Sequence, residues 1–252
     1  MAESLHTDLP RTDGVPLPPR YLLHPLRGTA RFLIRRGFGV DVHGVENVPT
    51  DGPVIFASNH VGVIDGPLLA IFCPRPVHAL TKAEMFEGML GRFLRGAGQI
   101  RLDRFGADPT AMRTCLAVLR SGRAVGIFPE GTRGAGDLGR FHAGAAYLGL
   151  VSGAPIVPVS MLGTRARGAG SSALPPWRGQ VDIVHGPPYR FERTAWPRTR
   201  EQVRASTLLL REHMMARLHE AIALTGQQLP GPLPVGQRNI DEDPPTGVER
   251  GA

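Results

Sequence analysis

The sequence predicts an α/β fold: a single domain with a mostly parallel, mixed sheet flanked by helices, preceded by a short basic amphipathic helix. Three observations predict it. Short β-rich runs alternate with helical candidates from Gly39 to about Pro188, the pattern left by strands joined through helical crossovers. One of those runs, A-V-G-I-F, is apolar throughout, as a strand covered on both faces must be. The chain of 252 residues, 42% hydrophobic, suits one core of medium size.

In chain order, residues 1–20 are polar and proline-rich, end in L-P-L-P-P-R, and are expected to be disordered. L-R-G-T-A-R-F-L-I-R-R, residues 26–36, places Leu26, Ala30, Leu33 and Ile34 on one helical face and Arg27, Arg31 and Arg35 on another. An apolar face beside an arginine stripe suits a helix lying in an anionic phospholipid interface, and equally a surface helix packed on the core. The expected strands are V-D-V-H, P-V-I-F-A, V-H-A-L-T, Q-I-R-L, A-V-G-I-F, P-I-V-P-V-S and V-D-I-V-H. D-G-P-L-L-A-I-F reads as a helix from Asp65. P-T-A-M-R-T-C-L-A-V-L-R-S-G reads as another, with Asp108 before Pro109 at its start and Gly122 after its end. Thr199 and Gln202, at capping-box spacing, open a long helix running to about Leu224. The folded unit is therefore expected over 21–225, with an acidic Pro/Gly tail, 226–252, disordered.

Composition narrows the function classes. No run approaches the roughly 18 apolar residues of a membrane-spanning helix, and M-A-E-S-L-H-T-D-L-P lacks the apolar core of a secretory signal. Cys73 and Cys115 have no metal-like spacing and form no disulfide framework, so a reducing cytoplasm fits. The net charge is +7, and the tail from Gly236 is acidic, so the body is more basic still. A basic body favours polyanions: nucleic acid, anionic lipid or phosphorylated small molecules.

Chemistry is concentrated in four stretches. S-N-H-V-G-V-I-D, residues 58–65, puts His60 in a strand-to-helix loop and Asp65 at the helix entrance. A carboxylate folded back onto one ring nitrogen would leave the other as a base. The bland alternatives are a core histidine and an ordinary helix cap. A-V-G-I-F-P-E-G-T-R ends a strand and presents Glu130, Gly131, Thr132 and Arg133, where arginine can grip a phosphate and glycine lets backbone approach it. G-Q-I-R-L-D-R delivers Arg104 past another strand, and T-K-A-E-M-F places Lys82, the only lysine, past a third. Met85, Phe86, Met89, Leu90, Phe93 and Leu94 then share one helical face, fit for an acyl-chain groove or, more commonly, for packing on the sheet. His60, Lys82, Arg104 and Arg133 each follow the carboxyl end of an expected strand, the edge where open parallel sheets bind ligands. No serine elbow, zinc motif or phosphate loop accompanies them.

These residues resemble the glycerolipid acyltransferases. S-N-H-V-G-V-I-D matches the N-H-x-x-x-x-D signature. K-A-E-M-F with G-Q-I-R-L-D-R is similar to the second block, F-P-E-G-T-R to the third and A-P-I-V-P-V to the fourth, all in family order across roughly residues 40–190. The PlsC-type lysophosphatidic acid (1-acylglycerol-3-phosphate) acyltransferase branch matches best. The resemblance implies that His60 takes the proton of an sn-2 hydroxyl while Asp65 orients it. Acyl-CoA or acyl carrier protein would donate the acyl group, giving phosphatidic acid with no acyl-enzyme, no metal and no cofactor. Asn59, Glu130, Gly131, Thr132 and Arg133 carry over as substrate-binding residues, Lys82 and Arg104 as phosphate partners, and Pro158 as a donor-side residue. Gly134 stands where the family often has serine, and a proline common in the second block is missing around Gly88–Met89, which leaves the acceptor open. The N-terminal hydrophobic helices of many relatives are reduced here to one short basic amphipathic segment, which predicts peripheral rather than integral attachment at the cytoplasmic face of the cell membrane. Competing readings are the same chemistry on another acceptor, a non-catalytic lipid-binding module, and, on charge alone, a nucleic-acid binder; the last has no recognisable motif or aromatic platform.

Overall fold

The computed structural model describes residues 9–23, 25–104 and 106–234. Its seven strands are β1 (Gly39–His43), β2 (Val54–Ser58), β3 (Val77–Lys82), β4 (Ile100–Leu102), β5 (Ala124–Ile127), β6 (Ile156–Leu162) and β7 (Gln180–His185). They form one sheet in the order β1-β7-β6-β2-β5-β3-β4. Every neighbouring pair is parallel except β6 and β7, where Val159 faces His185 in antiparallel register. Each expected strand is present, in a mixed and mostly parallel sheet.

Two helical layers cover the sheet, and the period of two along each strand decides which side chain meets which layer. Ile55 and Ala57 of β2 join a core with α4 (Pro109–Arg120), α5 (Gly144–Ser152) and α6 (Arg200–Thr225). Val54 and Phe56 point the other way, to Leu68, Leu69 and Phe72 of α2 (Asp65–Phe72). Covered on both faces, β2 is buried at every position. The caps behave as their residues dictate. Asp108 accepts from the Ala111 N–H at 2.9 Å with Pro109 in the first turn. Thr199 and Gln202 close a reciprocal capping box on α6, which ends at Gly226 with φ 69°.

The basic segment forms α1 (Leu26–Gly37), but its arginine stripe does not face outward. Arg31 Nε donates to the Ile71 carbonyl at 2.8 Å and its Nη2 to the Cys73 carbonyl at 3.1 Å; Arg27 reaches the same two oxygens. These carbonyls end α2 and lack helical partners, so guanidinium groups satisfy them and complement the negative end of the helix dipole. Arg35 lies over the Phe72 ring at 5.5 Å. Phe32 and Leu33 consequently face solvent, each more than 60% exposed. Of the two readings, the arginines match a helix packed on the core, while Leu26, Phe32 and Leu33 stay on the outside.

Nor is the methionine and phenylalanine segment one helix. A 3₁₀ turn over Ala83–Phe86 breaks at Glu87 before α3 (Gly88–Gly96) begins. Phe86 turns into the protein, while Met89, Leu90 and Phe93 stand 78%, 50% and 48% exposed, so packing on the sheet is not their use. Residues 9–19 run beside α4, where the Pro10, Arg11 and Pro18 carbonyls accept from Arg120, Arg113 and Arg123. The expectations for 1–8 and 235–252 lie outside the described residues. Among the described residues no helix is long and apolar enough to cross a membrane.

Candidate active site

The chain turns sharply between β2 and α2, and Asp65 closes that turn. Its Oδ2 accepts three hydrogen bonds: His60 Nδ1 at 2.8 Å, the Val61 N–H at 2.7 Å and the Gly62 N–H at 2.8 Å. The side chain is fully buried and bonds backward into the loop rather than forward to the helix N–H groups, so it is no ordinary cap. Gly62 makes the turn possible, because a Cβ there would lie 2.7 Å from the Thr164 carbonyl oxygen. Since a carboxylate can only accept, the ring nitrogen facing it is the protonated one. Nε2 is therefore left with a bare lone pair. The ring stacks on Phe128 at 4.2 Å and 25°, with 16% of the side chain exposed.

The loop after β5 is bound to the histidine loop by backbone. Glu130 Oε1 accepts the His60 N–H at 3.1 Å, and the Gly134 N–H donates to the His60 carbonyl at 2.9 Å. Glu130 is 4% exposed, so its carboxyl lies beneath the rim rather than on it. Burial pushes its pKa up to about 8, with Asp137 and Asp65 adding to the rise and hydrogen bonds from the His60 and Leu138 backbone opposing it. Gly131 has φ +71°, and a Cβ there would stand 2.9 Å from the His142 ring, so this tight turn accepts glycine alone without strain. Asn59 fastens the other side: its Oδ1 accepts the Met161 N–H at 2.7 Å and its Nδ2 donates to the Met161 and Gly136 carbonyls.

Three cations gather on the same edge of the sheet. Arg104 Nη1 donates to the Gly131 carbonyl at 3.3 Å, and Arg133 Nη1 to the Ser171 carbonyl at 2.9 Å. The Lys82 ammonium is pushed down to about 8, first by burial and then by the positive charges of Arg104 and Arg133, against the pull of Glu84. Burial likewise lowers Arg133, with Asp65 opposing the fall and Arg104 adding to it. Such mutual repulsion places the three charges in one field, where a bound dianion would relieve all of them.

The structure therefore brings together His60, Asp65, Asn59, Lys82, Arg104, Glu130, Gly131 and Arg133, with Thr132 half-buried between the last two. It does not bring Pro158 to them. Pro158 sits inside β6 opposite Ala57, its carbonyl accepting the Gly186 N–H at 2.9 Å, away from the carboxyl edge. Phe128, the ring under His60, escaped sequence reasoning because an apolar residue ending an apolar run reads as strand core.

A family model described as Acyltransferase matches residues 39–162, which carry β1 to β6, the His60 turn and the three cations, but neither β7 nor the Ser171 contact. The chain is 29% identical over 178 residues to the 1-acyl-sn-glycerol-3-phosphate acyltransferase of Bacillus subtilis, covering 70% of this chain and 86% of that one. It is 32% identical over 135 residues to the protein of the same name from Borreliella burgdorferi, covering 51% of this chain and 53% of that one. In fold it is similar to the crystal structure of PlsC, a 1-acyl-sn-glycerophosphate acyltransferase from Thermotoga maritima. The TM-score is 0.58 at 22% identity over 79% of this chain and 80% of that one.

Proposed function

Through residues 39–162 the chain is a member of the acyltransferase family, and on that premise we propose that it acylates the sn-2 hydroxyl of lysophosphatidic acid. The acyl group comes from a thioester on coenzyme A or acyl carrier protein, and the product is phosphatidic acid. Support comes first from the curated relatives, named for this acceptor. One observation carries the reading: a histidine with its Nδ1 fixed on Asp65 at 2.8 Å shares a sheet edge with the Lys82, Arg104 and Arg133 charges.

The chemistry follows from that geometry. Lys82, Arg104 and Arg133 hold the phosphate, which sets the glycerol hydroxyl near His60. Nε2 takes the hydroxyl proton as the oxygen attacks the thioester carbon, and Asp65 stabilises the imidazolium that forms. The C–S bond breaks as the tetrahedral intermediate collapses, and the imidazolium returns its proton to the departing thiolate. No covalent enzyme intermediate is needed, because the thioester arrives activated. General base catalysis of this kind supplies about 10²–10⁴-fold, and alignment of the two substrates the rest. Met89, Leu90 and Phe93, exposed on the helix that follows Lys82, give the reading its membrane side: they meet the acyl region of an anionic bilayer at the cytoplasmic face.

The test is to incubate the purified chain with labelled acyl-CoA or acyl carrier protein and a panel of lysolipids and alcohols, then identify products by mass. Phosphatidic acid as the dominant product supports the proposal. Transfer only to acceptors without a phosphomonoester overturns the acceptor, and no transfer with any donor overturns the enzyme reading.

A further inference from the structure

Beyond the residues already placed in the site, one buried charge touches both the His60 turn and the Arg133 loop. Arg165 follows β6 at the carboxyl edge and is 3% exposed. Its Nε donates to the Val61 carbonyl at 3.0 Å, inside the turn that Asp65 closes. Its Nη2 donates to the Gly134 carbonyl at 2.9 Å, one residue after Arg133, and to the Gly231 carbonyl at 2.6 Å. Nη1 donates to the Ala169 carbonyl at 2.7 Å. Its bonds therefore run to four backbone carbonyls in four different segments, and its charge lies in the field of Asp65.

The segment bearing Gly231 is itself fastened to the site. After α6, Gln227 Nε2 donates to Asp182 Oδ2 and to the Gln180 carbonyl, both at 3.2 Å. Leu229 packs against the core and lies 3.5 Å from where a Cβ on Gly136 would stand. Residues 226–234 thus form a strap that crosses the carboxyl edge and ends on the guanidinium of Arg165.

We propose that Arg165 is a positioning residue for acyl transfer: it fixes the His60 turn and the Arg133 loop at one separation and couples both to the strap. The proposal rests on the functional reading above. A planar guanidinium can bond several carbonyls in fixed directions, which an ammonium cannot, so lysine is a poor substitute here. Loosening either loop separates the base from the held acceptor, and a misplacement of about 1 Å costs about 10²-fold in rate.

The experiment compares the full chain with Arg165→Lys, Arg165→Gln and Arg165→Ala. Steady-state acyl transfer is measured beside hydrogen exchange of residues 60–66, 131–138 and 226–234, and each variant's unfolding midpoint is recorded. The expected result is a fall in kcat of about 10²-fold in Arg165→Ala with the donor KM within about threefold, and faster exchange in all three segments. Arg165→Lys should recover part of the rate. Wild-type kcat in Arg165→Ala, or faster exchange confined to 226–234, overturns the positioning role. A midpoint that falls in proportion to the rate across the series overturns it too, because Arg165 is then only structural. If the wild type transfers no acyl group, the functional reading has failed, and the exchange pattern alone still decides whether Arg165 holds the loops.

Discussion

The carboxylate of Asp65 holds His60 through one oxygen, Oδ2, which also accepts two backbone N–H groups of the intervening turn. Ring and turn are therefore one unit, and the side chain that sets the tautomer also sets the loop.

Replacing either partner should reveal this. His60→Ala is expected to lose about 10²–10⁴-fold in kcat, measured as thiol release, with little change in the unfolding midpoint. Asp65→Asn should lose a comparable factor and also unfold earlier, because its amide cannot serve all three donors. Equal stability losses in both variants would contradict the assignment.

Lys82 gives the site a pH limit. Its pKa is lowered to about 8, so the ammonium is present below that pH and lost above it. The ratio kcat/KM for a phosphate-bearing acceptor should fall about tenfold or more as pH rises from 7 to 9.5. Lys82→Arg should flatten that decline, and a neutral acceptor should show none of it.

Glu130 sets a stability slope. Its folded pKa is raised to about 8, so between about 4.5 and 8 the folded chain keeps a proton that the unfolded chain has released. That contribution is full below the window and disappears as pH rises through it. Denaturant melts at pH 5 and pH 8 should show the wild type losing stability relative to Glu130→Gln, by roughly 1–3 kcal/mol.

Arg31 stabilises the fold by satisfying the end of α2. Arg31→Ala should cost about 1–2 kcal/mol in chemical unfolding, with acyl transfer on a short, soluble acceptor unchanged.

The exposed face of α3 should govern lipid contact. The double variant Met89→Ser with Phe93→Ser is expected to lose most of its co-sedimentation with anionic vesicles while turning over a soluble acceptor normally. Retained co-sedimentation would move the membrane contact elsewhere, with Phe32 and Leu33 the next residues to test.

What the sequence made legible was whatever leaves a side-chain pattern. Seven strands could be read because each is a short apolar or β-branched run bounded by turn residues, and the burial of Val54–Ser58 on both faces shows why its run does not alternate. The His60–Asp65 spacing could be read because one turn separates strand from helix. The direction of the α1 arginines could not be read. An amphipathic helix has two faces, and the Ile71 and Cys73 carbonyls that decide between them are backbone atoms of another segment. Arg165 stayed invisible for the same reason, since its partners are carbonyl oxygens from residues as distant as Val61 and Gly231. Pro158 lies in a stretch that was legible as strand, but a position within a strand does not disclose its distance from the edge where ligands arrive.

The antiparallel pairing of β6 with β7 has an evolutionary consequence. Because β7 starts at the edge where β6 finishes, the connection over residues 163–179 returns along that edge, and it meets Arg133 through the Ser171 carbonyl. A change of length between Gly170 and Gly179 falls outside the strands and outside the Arg165 contacts at Val61, Gly134 and Ala169. On the proposed function, selection can retailor what fits beside Arg133 by changing residues 170–179, while Arg165 at the start of the connection keeps its hold on the His60 turn.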